Sequence, residues 1–348
     1  MVQTKTVAGL RKQDGVSVIV CCHNSGNRLK PTLEHLFRQS TESDLMWEII
    51  VVDNNSTDST PDIAKNLYER SGSKIPFQMV QESKPGLSHA RNRGFESAKF
   101  NIALMVDDDN SICPTYVDSV HKRFTDSTIG MVGGKGIPVL EEKAPSWLEQ
   151  YDYCYAVGPQ AADDSAETNS LYGAGLALRL DILALLKEKG FESLLSDRVG
   201  DSLISGGDTE LCMAFRMAGF KLIYDSTLLF EHHLPSTRMN WNYLRRLFFG
   251  FGITKARLDI YSAAMDGRPI PEDGKIPMWL NRALYLTKQL LPDLPILSSG
   301  LLFAKEGNDR LLKALAKCGH IIGIIRCRNE YASMYAKLYD LRNKLKNA

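Results

Sequence analysis

Three aspartates stand in a row in "ALMVDDDNS", residues 103–111, directly after four apolar residues. Asp107, Asp108 and Asp109 would repel one another and lose hydration at the end of a buried strand, so the cluster needs a cation. If the strand stays extended, Asp107 and Asp109 point to one side and Asp108 to the other. Two carboxylates on one side make a hard-oxygen site suited to Mn2+ or Mg2+, which share carboxylate and phosphate oxygens. An isolated DxD is more often a solvated acidic turn, so placement decides its meaning.

Five further groups carry chemistry. Asp53 ends "EIIVVD", where an aspartate can accept hydrogen bonds from a ribose or a base edge, or cap the "NNSTDST" that follows. "KPGLSHARNRG" places Lys84, Arg91 and Arg93 shortly before the acidic run, as cations for a diphosphate or as a solvated helix start. In "GGDTELCMAFRMAGF", Asp208 falls at a helix N-terminus, which favours its ionised form. "FEHH" supplies His232 and His233, one of which could add a nitrogen ligand to a metal. Arg245 and Arg246 of "NYLRRLFFGFG" could hold a phosphate bidentately or line an exposed helix face.

The elements that must position these groups are legible in the apolar pattern. "GVSVIVCCHN", "WEIIVVD", "FQMVQES" and "NIALMVDDDN" read as strands, alternating with the helical spacings of "NRLKPTLEHLFRQS", "PDIAKNLYERSG" and "GLSHARNRGFESA". Such alternation predicts βαβ units with a mainly parallel sheet, whose ligands bind beyond the carboxyl ends of the strands. His23, Asn24, Asp53 and Asp107–Asp109 all occupy such ends, so polar groups from three strands should converge on one crevice. "GGDTELCMAFRMAGFKLIYDSTLLFEHH" reads as a helix followed by short strands, and Asn110–Ser111 as a turn. "DGRPIPEDGKIP" suits a linker, after which helical periodicity dominates. The expected division is 1–262 for the α/β domain and 263–348 for a helical extension.

Composition narrows the classes. A chain of 348 residues, 44% hydrophobic and 24% charged, has the make-up of a globular protein with a large core. The formal net charge of +1 gives no electrostatic case for nucleic acid. Seven scattered cysteines without a CxxC argue for free thiols and a reducing cytoplasm. The polar "MVQTKTVAGLRKQDG" has no leader pattern, and no apolar run approaches the roughly 18 to 20 residues of a membrane span. Neither GxGxxG nor GxxxxGK[ST] occurs, so a dinucleotide fold and a P-loop both lack their main signal.

Five stretches in order, "VSVIVCCHN", "IIVVDNNSTDST", "KPGLSHARNRGFESA", "ALMVDDDN" and "GGDTELCMAFRMAGF", resemble the inverting glycosyltransferases of family 2, over residues 16–255. The resemblance implies a GT-A fold: a Rossmann-like, mainly parallel mixed sheet flanked by helices, here with a C-terminal helical extension. It implies that Cys22, His23, Asn24 and Asp53 hold the base and ribose of a nucleotide-sugar, UDP-linked by preference. Lys84 and Arg91 would line the diphosphate, with Asp107 and Asp108 facing the donor. Asp109 would bind Mn2+ or Mg2+, joined by His232 with His233 as rival, and Asp208 would be the catalytic base. Gly207 replaces the acid that precedes this base in the family, so any role of that acid is absent or moves to Glu210. "NYLRR" is a poor match to the QxxRW of processive members, which argues for single transfers.

The expected activity is therefore metal-assisted transfer of a sugar to an acceptor hydroxyl in glycan or polysaccharide synthesis. The acceptor would be a glycan or lipid-linked, and the protein cytoplasmic. Its C-terminal helices could make peripheral contact with the inner face of the membrane. A nucleotidyltransferase on a related sheet, or a silent binding protein of the same fold, would be the alternatives. The first wants a glycine-rich basic loop where "CCHNSGNR" stands, and the second predicts loss of Asp107, Asp109 or Asp208.

Overall fold

The computed structural model describes residues 12–195, 203, 205–268, 276–303 and 305–347. They form two compact units, Met1–Val139 with Ala156–Gly190 and Ala214–His233, and Leu140–Tyr155 with Phe191–Met213 and Leu234–Ala348. Neither unit is continuous in sequence, and the expected linker at 266–277 lies largely outside the described residues.

The first unit is built on one mixed sheet. Its strands are β1 (Gln13–Cys22), β2 (Trp47–Asp53), β3 (Phe77–Gln81), β4 (Phe100–Asp107), β5 (Asn110–Ile112), β6 (Ile129–Leu140), β7 (Leu176–Arg179) and β8 (Lys221–Leu234). The order is β3-β2-β1-β4-β7-β6-β8-β5. The first four strands are mutually parallel, whereas β7 on β4, β6 on β7 and β5 on β8 are antiparallel. The β1 and β2 runs are apolar almost without break because helices cover both faces of a parallel sheet. The expected short strands after residue 220 are a single strand, β8. Its far end pairs Asn110 with His232, so the residues read as a turn are the short strand β5.

Helices α1 (Leu29–Phe37), α2 (Thr60–Ser71), α3 (Leu87–Ser97), α4 (Tyr116–Arg123) and α5 (Leu180–Glu188) punctuate the strands. Helix α1 buries Leu29, Leu33 and Leu36 completely, each contributing roughly 1.5–3 kcal/mol. Helix α2 carries Pro61 in its first turn and is capped by Gly72 in the left-handed conformation (φ 65°), as its sequence predicts. Helix α3 lies so close to β1 that a Cβ on Gly94 would clash with Ile19 Cγ2. That contact sets the height of Arg91, one turn earlier.

The second unit is mainly helical: α6 (Gly207–Met217) begins in it, followed by α7 (Trp241–Asp266), α8 (Met278–Leu290), α9 (Leu294–Phe303), α10 (Asp309–Arg326) and α11 (Tyr331–Lys346). Helices α7 and α10 cross with their backbones in contact, since a Cβ on Gly252 would strike Ala316 O and one on Gly319 would strike Phe249 O. No helix among the described residues is long and apolar enough to cross a membrane.

Candidate active site

Strand register levels the polar ends. Cys22 pairs with Asp53, Cys21 with Asp107, and Asp53 with Gln81, so β1, β2 and β4 deliver their last residues to one edge. Two loop residues there, Asn24 (φ 50°) and Asn55 (φ 58°), adopt the left-handed conformation that asparagine tolerates. Asn24 Oδ1 accepts from Thr57 N at 2.8 Å, and its own N–H donates to Ser56 Oγ, tying the β1 loop to the β2 loop. His23 Nδ1 lies 2.8 Å from Asn54 O. Asp53 is buried and accepts from Ser56 N. The Cys22 side chain belongs to the core, and burial raises its thiol well above the ordinary range, so only its main chain reaches the edge. That carbonyl already accepts from Asn54 N at 2.8 Å.

Asn54 joins a third segment to these two. Its Nδ2 donates to Glu82 O and Lys84 O, and its Oδ1 accepts from Gly86 N at 2.8 Å. The loop that precedes α3 is thereby fixed, with the Lys84 side chain exposed and Arg91 buried on the helix.

The three aspartates have different partners. Burial pushes the Asp107 carboxyl up; the Arg91 charge opposes that, and the neighbouring Asp109 reinforces it. Asp108 turns the other way, into a paired interaction with Arg28: Nε donates to Oδ1 at 3.0 Å and Nη2 to Oδ2 at 2.7 Å. Ser25 Oγ donates to the same carboxylate. Burial raises Asp108 too, and the Arg28 hydrogen bond resists it. Asp109 is buried, with Oδ1 3.6 Å from His232 Nε2 and 3.3 Å from Asn110 Nδ2. His233 faces elsewhere, its Nε2 3.2 Å from Ser111 Oγ. The two histidines separate because successive residues of β8 point to opposite faces.

Asp107–Asp109, Asp53, His23, Asn24, Arg91 and His232 thus share one edge of the first unit. Arg28, Ser25 and Asn54 complete it although their sequence signals are weak. Arg28 is the clearest case, since three adjacent carboxylates demand a cation and "HNSGNR" supplies one. Among the described residues no three His, Cys, Asp or Glu side chains form a metal-binding group. An ion at Asp109 and His232 would have two protein ligands and would take its remaining oxygens from substrate or water. The Asp109 carboxylate is the hard-oxygen ligand that Mn2+ and Mg2+ both take beside phosphates, and the His232 nitrogen suits Mg2+ less well.

In the second unit, Asp208 stands in the first turn of α6, and its Oδ1 accepts from Thr209 N at 2.7 Å. Two residues on, Glu210 is buried: it accepts from Leu194 N at 2.6 Å, from Tyr261 Oη at 2.9 Å, and from Ser193 Oγ. Burial raises its carboxyl against these bonds. Glu210 therefore pins residues 193–195 to α6 and α7, while Asp208 is only partly buried.

Residues 17–173 match the family model described as Glycosyl transferase family 2. EpsH of Bacillus subtilis, a glycosyltransferase by name, is 30% identical over 113 residues, which are 32% of this chain and 31% of EpsH. The glucosyl-dolichyl phosphate glucuronosyltransferase of Haloferax volcanii is 22% identical over 263 residues, 73% of this chain and 80% of that protein. The chain thus spans about a third of one curated relative and most of another. Among solved structures, the mannosyltransferase PcManGT of Pyrobaculum calidifontis, in complex with GDP-Man and Mn2+, superposes with a TM-score of 0.53 at 18% identity, over 98% of this chain and 89% of that one. Residues 17–173, which carry the GT-A strand ends that gather these carboxylates, are thus similar to the family 2 glycosyltransferases.

Proposed function

We propose that the protein is a non-processive, inverting hexosyltransferase that moves a sugar from a nucleotide-sugar to an acceptor hydroxyl. The observation that carries the reading is the level alignment of Asp53, Asp107–Asp109 and His232 on one edge, with Arg91 behind them. In this reading His23, Asn24, Asp53 and the main chain of Cys22 take the base and ribose. Lys84 and Arg91 offset the diphosphate, and Asp107 faces the donor. Asp108, held by Arg28 and Ser25, keeps its two neighbours aimed.

A divalent ion, Mn2+ or Mg2+, on Asp109 and His232 would neutralise charge on the leaving nucleoside diphosphate. PcManGT was solved with Mn2+, which supports a metal here. Asp208 serves as general base: it takes the proton of the acceptor hydroxyl as that oxygen attacks the anomeric carbon, inverting it in one displacement. UDP is the preferred nucleotide, although the GDP-Man of PcManGT keeps a guanine donor in the screen.

The acceptor is a glycan or a lipid-linked sugar. The Haloferax volcanii relative, whose name places a dolichyl phosphate in its acceptor, supports the second form. Leu284, Tyr285, Leu291 and Leu294 of the second unit are each about half exposed, which suits peripheral contact with the cytoplasmic face of a membrane.

Thermal unfolding with UDP-, GDP- and dTDP-sugars tests the donor half. A donor at a hundred times its Kd should stabilise by about 2.7 kcal/mol, with Mn2+ present and not with chelator. No shift with any donor and metal would overturn the reading.

A further inference from the structure

A cavity of about 370 Å³ opens between α7 and α10, wholly within the second unit. Arg245 and Arg246 come to it from α7 and Arg326 from the last turn of α10; Phe249, Ile253 and Leu315 give it apolar walls. No carboxylate lines it among the described residues. Arg246 and Arg326 are exposed at its mouth and Arg245 is half-buried, so the cavity offers guanidinium donors to an anion that enters it. Arg245 adds a second observation, since its buried Nε has no hydrogen-bond partner and its Nη1 meets Asn242 Oδ1 at a long 3.4 Å. A guanidinium donates through five N–H groups and binds phosphate through two at a time.

We infer that this cavity seats the phosphate of a lipid-linked acceptor, with the guanidiniums on the phosphate and the apolar wall along the start of the lipid chain. The inference rests on the glycosyltransferase reading for the word acceptor, but the binding chemistry stands without it. The mixed lining favours an amphiphile over a free phosphate ester, because inorganic phosphate would leave Phe249, Ile253 and Leu315 unused. The exposed apolar side chains of α8 and α9 give the same unit a surface on which such a lipid could be met. The cavity also touches the approach to the proposed base. Leu203 lines it, and Thr254 Oγ1 of α7 donates to Ser205 O, three residues before Asp208. Filling the cavity would therefore bear on the segment that carries Asp208.

The test uses the full chain without nucleotide-sugar, so a wrong donor assignment does not affect it. Binding to phosphatidylcholine vesicles, with and without phosphatidic acid, is measured by co-sedimentation for the wild type, Arg245→Gln, Arg326→Gln and Lys313→Gln. Lys313 is an exposed cation of α10 outside the cavity, so it controls for bulk charge. The expected result is binding that requires phosphatidic acid and weakens about tenfold in each arginine variant, the order of one lost charge-assisted contact, with Lys313→Gln little changed. Equal behaviour of Lys313→Gln and the arginine variants would overturn the inference, as would binding to neither vesicle. Arginine-dependent binding of inorganic phosphate without vesicle binding would overturn the lipid source. Should Arg245→Gln fail to fold, the exposed Arg326→Gln carries the same comparison from the other helix.

Discussion

Replacing Arg28 with glutamine tests what holds the acidic strand end together. Asp108 keeps only 12% of its side-chain surface, while Arg28 keeps 42% and makes both hydrogen bonds of the pair. Breaking a fully buried pair costs about 3–5 kcal/mol and an exposed one less than about 1 kcal/mol. With one partner buried and the other half in water, the loss should be about 2 kcal/mol. Most of it is the penalty on a carboxylate left without its cation beside Asp107 and Asp109. Asp108→Asn removes that charge, so the double variant Arg28→Gln/Asp108→Asn should be less unstable than the sum of the singles by about 1 kcal/mol or more. Thermal or urea unfolding of the four proteins at one pH closes the cycle. Additive effects, or a loss below about 0.5 kcal/mol for Arg28→Gln, would show that the pair does not support the turn.

Three further outcomes follow from the packing. Burial pushes His320 down to about 4; Asp259, 3.4 Å from its Nε2, opposes that, while Arg282 and Lys255 add to it. A depressed histidine gives stability that is present above its unfolded value near 6.5 and lost as pH falls to about 4. His320→Gln should flatten that acid slope by up to about 3 kcal/mol, and an unchanged slope would refute the assignment. Tyr261→Phe removes a 2.9 Å bond to buried Glu210 and should cost about 1–2 kcal/mol in urea unfolding; no loss would mean that Glu210 is held by its other partners alone. Gly94→Ala should push α3 off Ile19, costing about 1–3 kcal/mol, and Ile19→Ala should restore part of it; no restoration would locate the strain elsewhere.

How much of this was legible in the sequence depends on range. β1, β2 and β4 announce themselves because β-branched runs ending in polar residues need no distant partner to be read. The neighbouring strand end β5 was misread as a turn because its strand character comes from β8, which lies more than a hundred residues away. The cation demanded by the three aspartates could be foreseen, but not its identity. Arg28 stands 80 positions before Asp108, and only the parallel pairing of β1 with β4 brings them together. Asp109 and His232 were paired in advance through the family resemblance alone, and the β5–β8 register supplies the physical reason. The second unit is collected from three separate stretches, so no local shift in composition marks it. Asn54 was passed over because "NNSTDST" reads as a generic turn, whereas its amide links three loops.

The proposed nucleotide-sugar-dependent transfer requires Asp208 as its base. Nucleoside diphosphate release in Mn2+ should be measured for the wild type and Asp208→Asn, with donor-induced stabilisation followed in the same samples. Release should fall by about a hundredfold to ten-thousandfold in Asp208→Asn while the donor still raises the melting temperature. Release at the wild-type rate from Asp208→Asn would contradict that role.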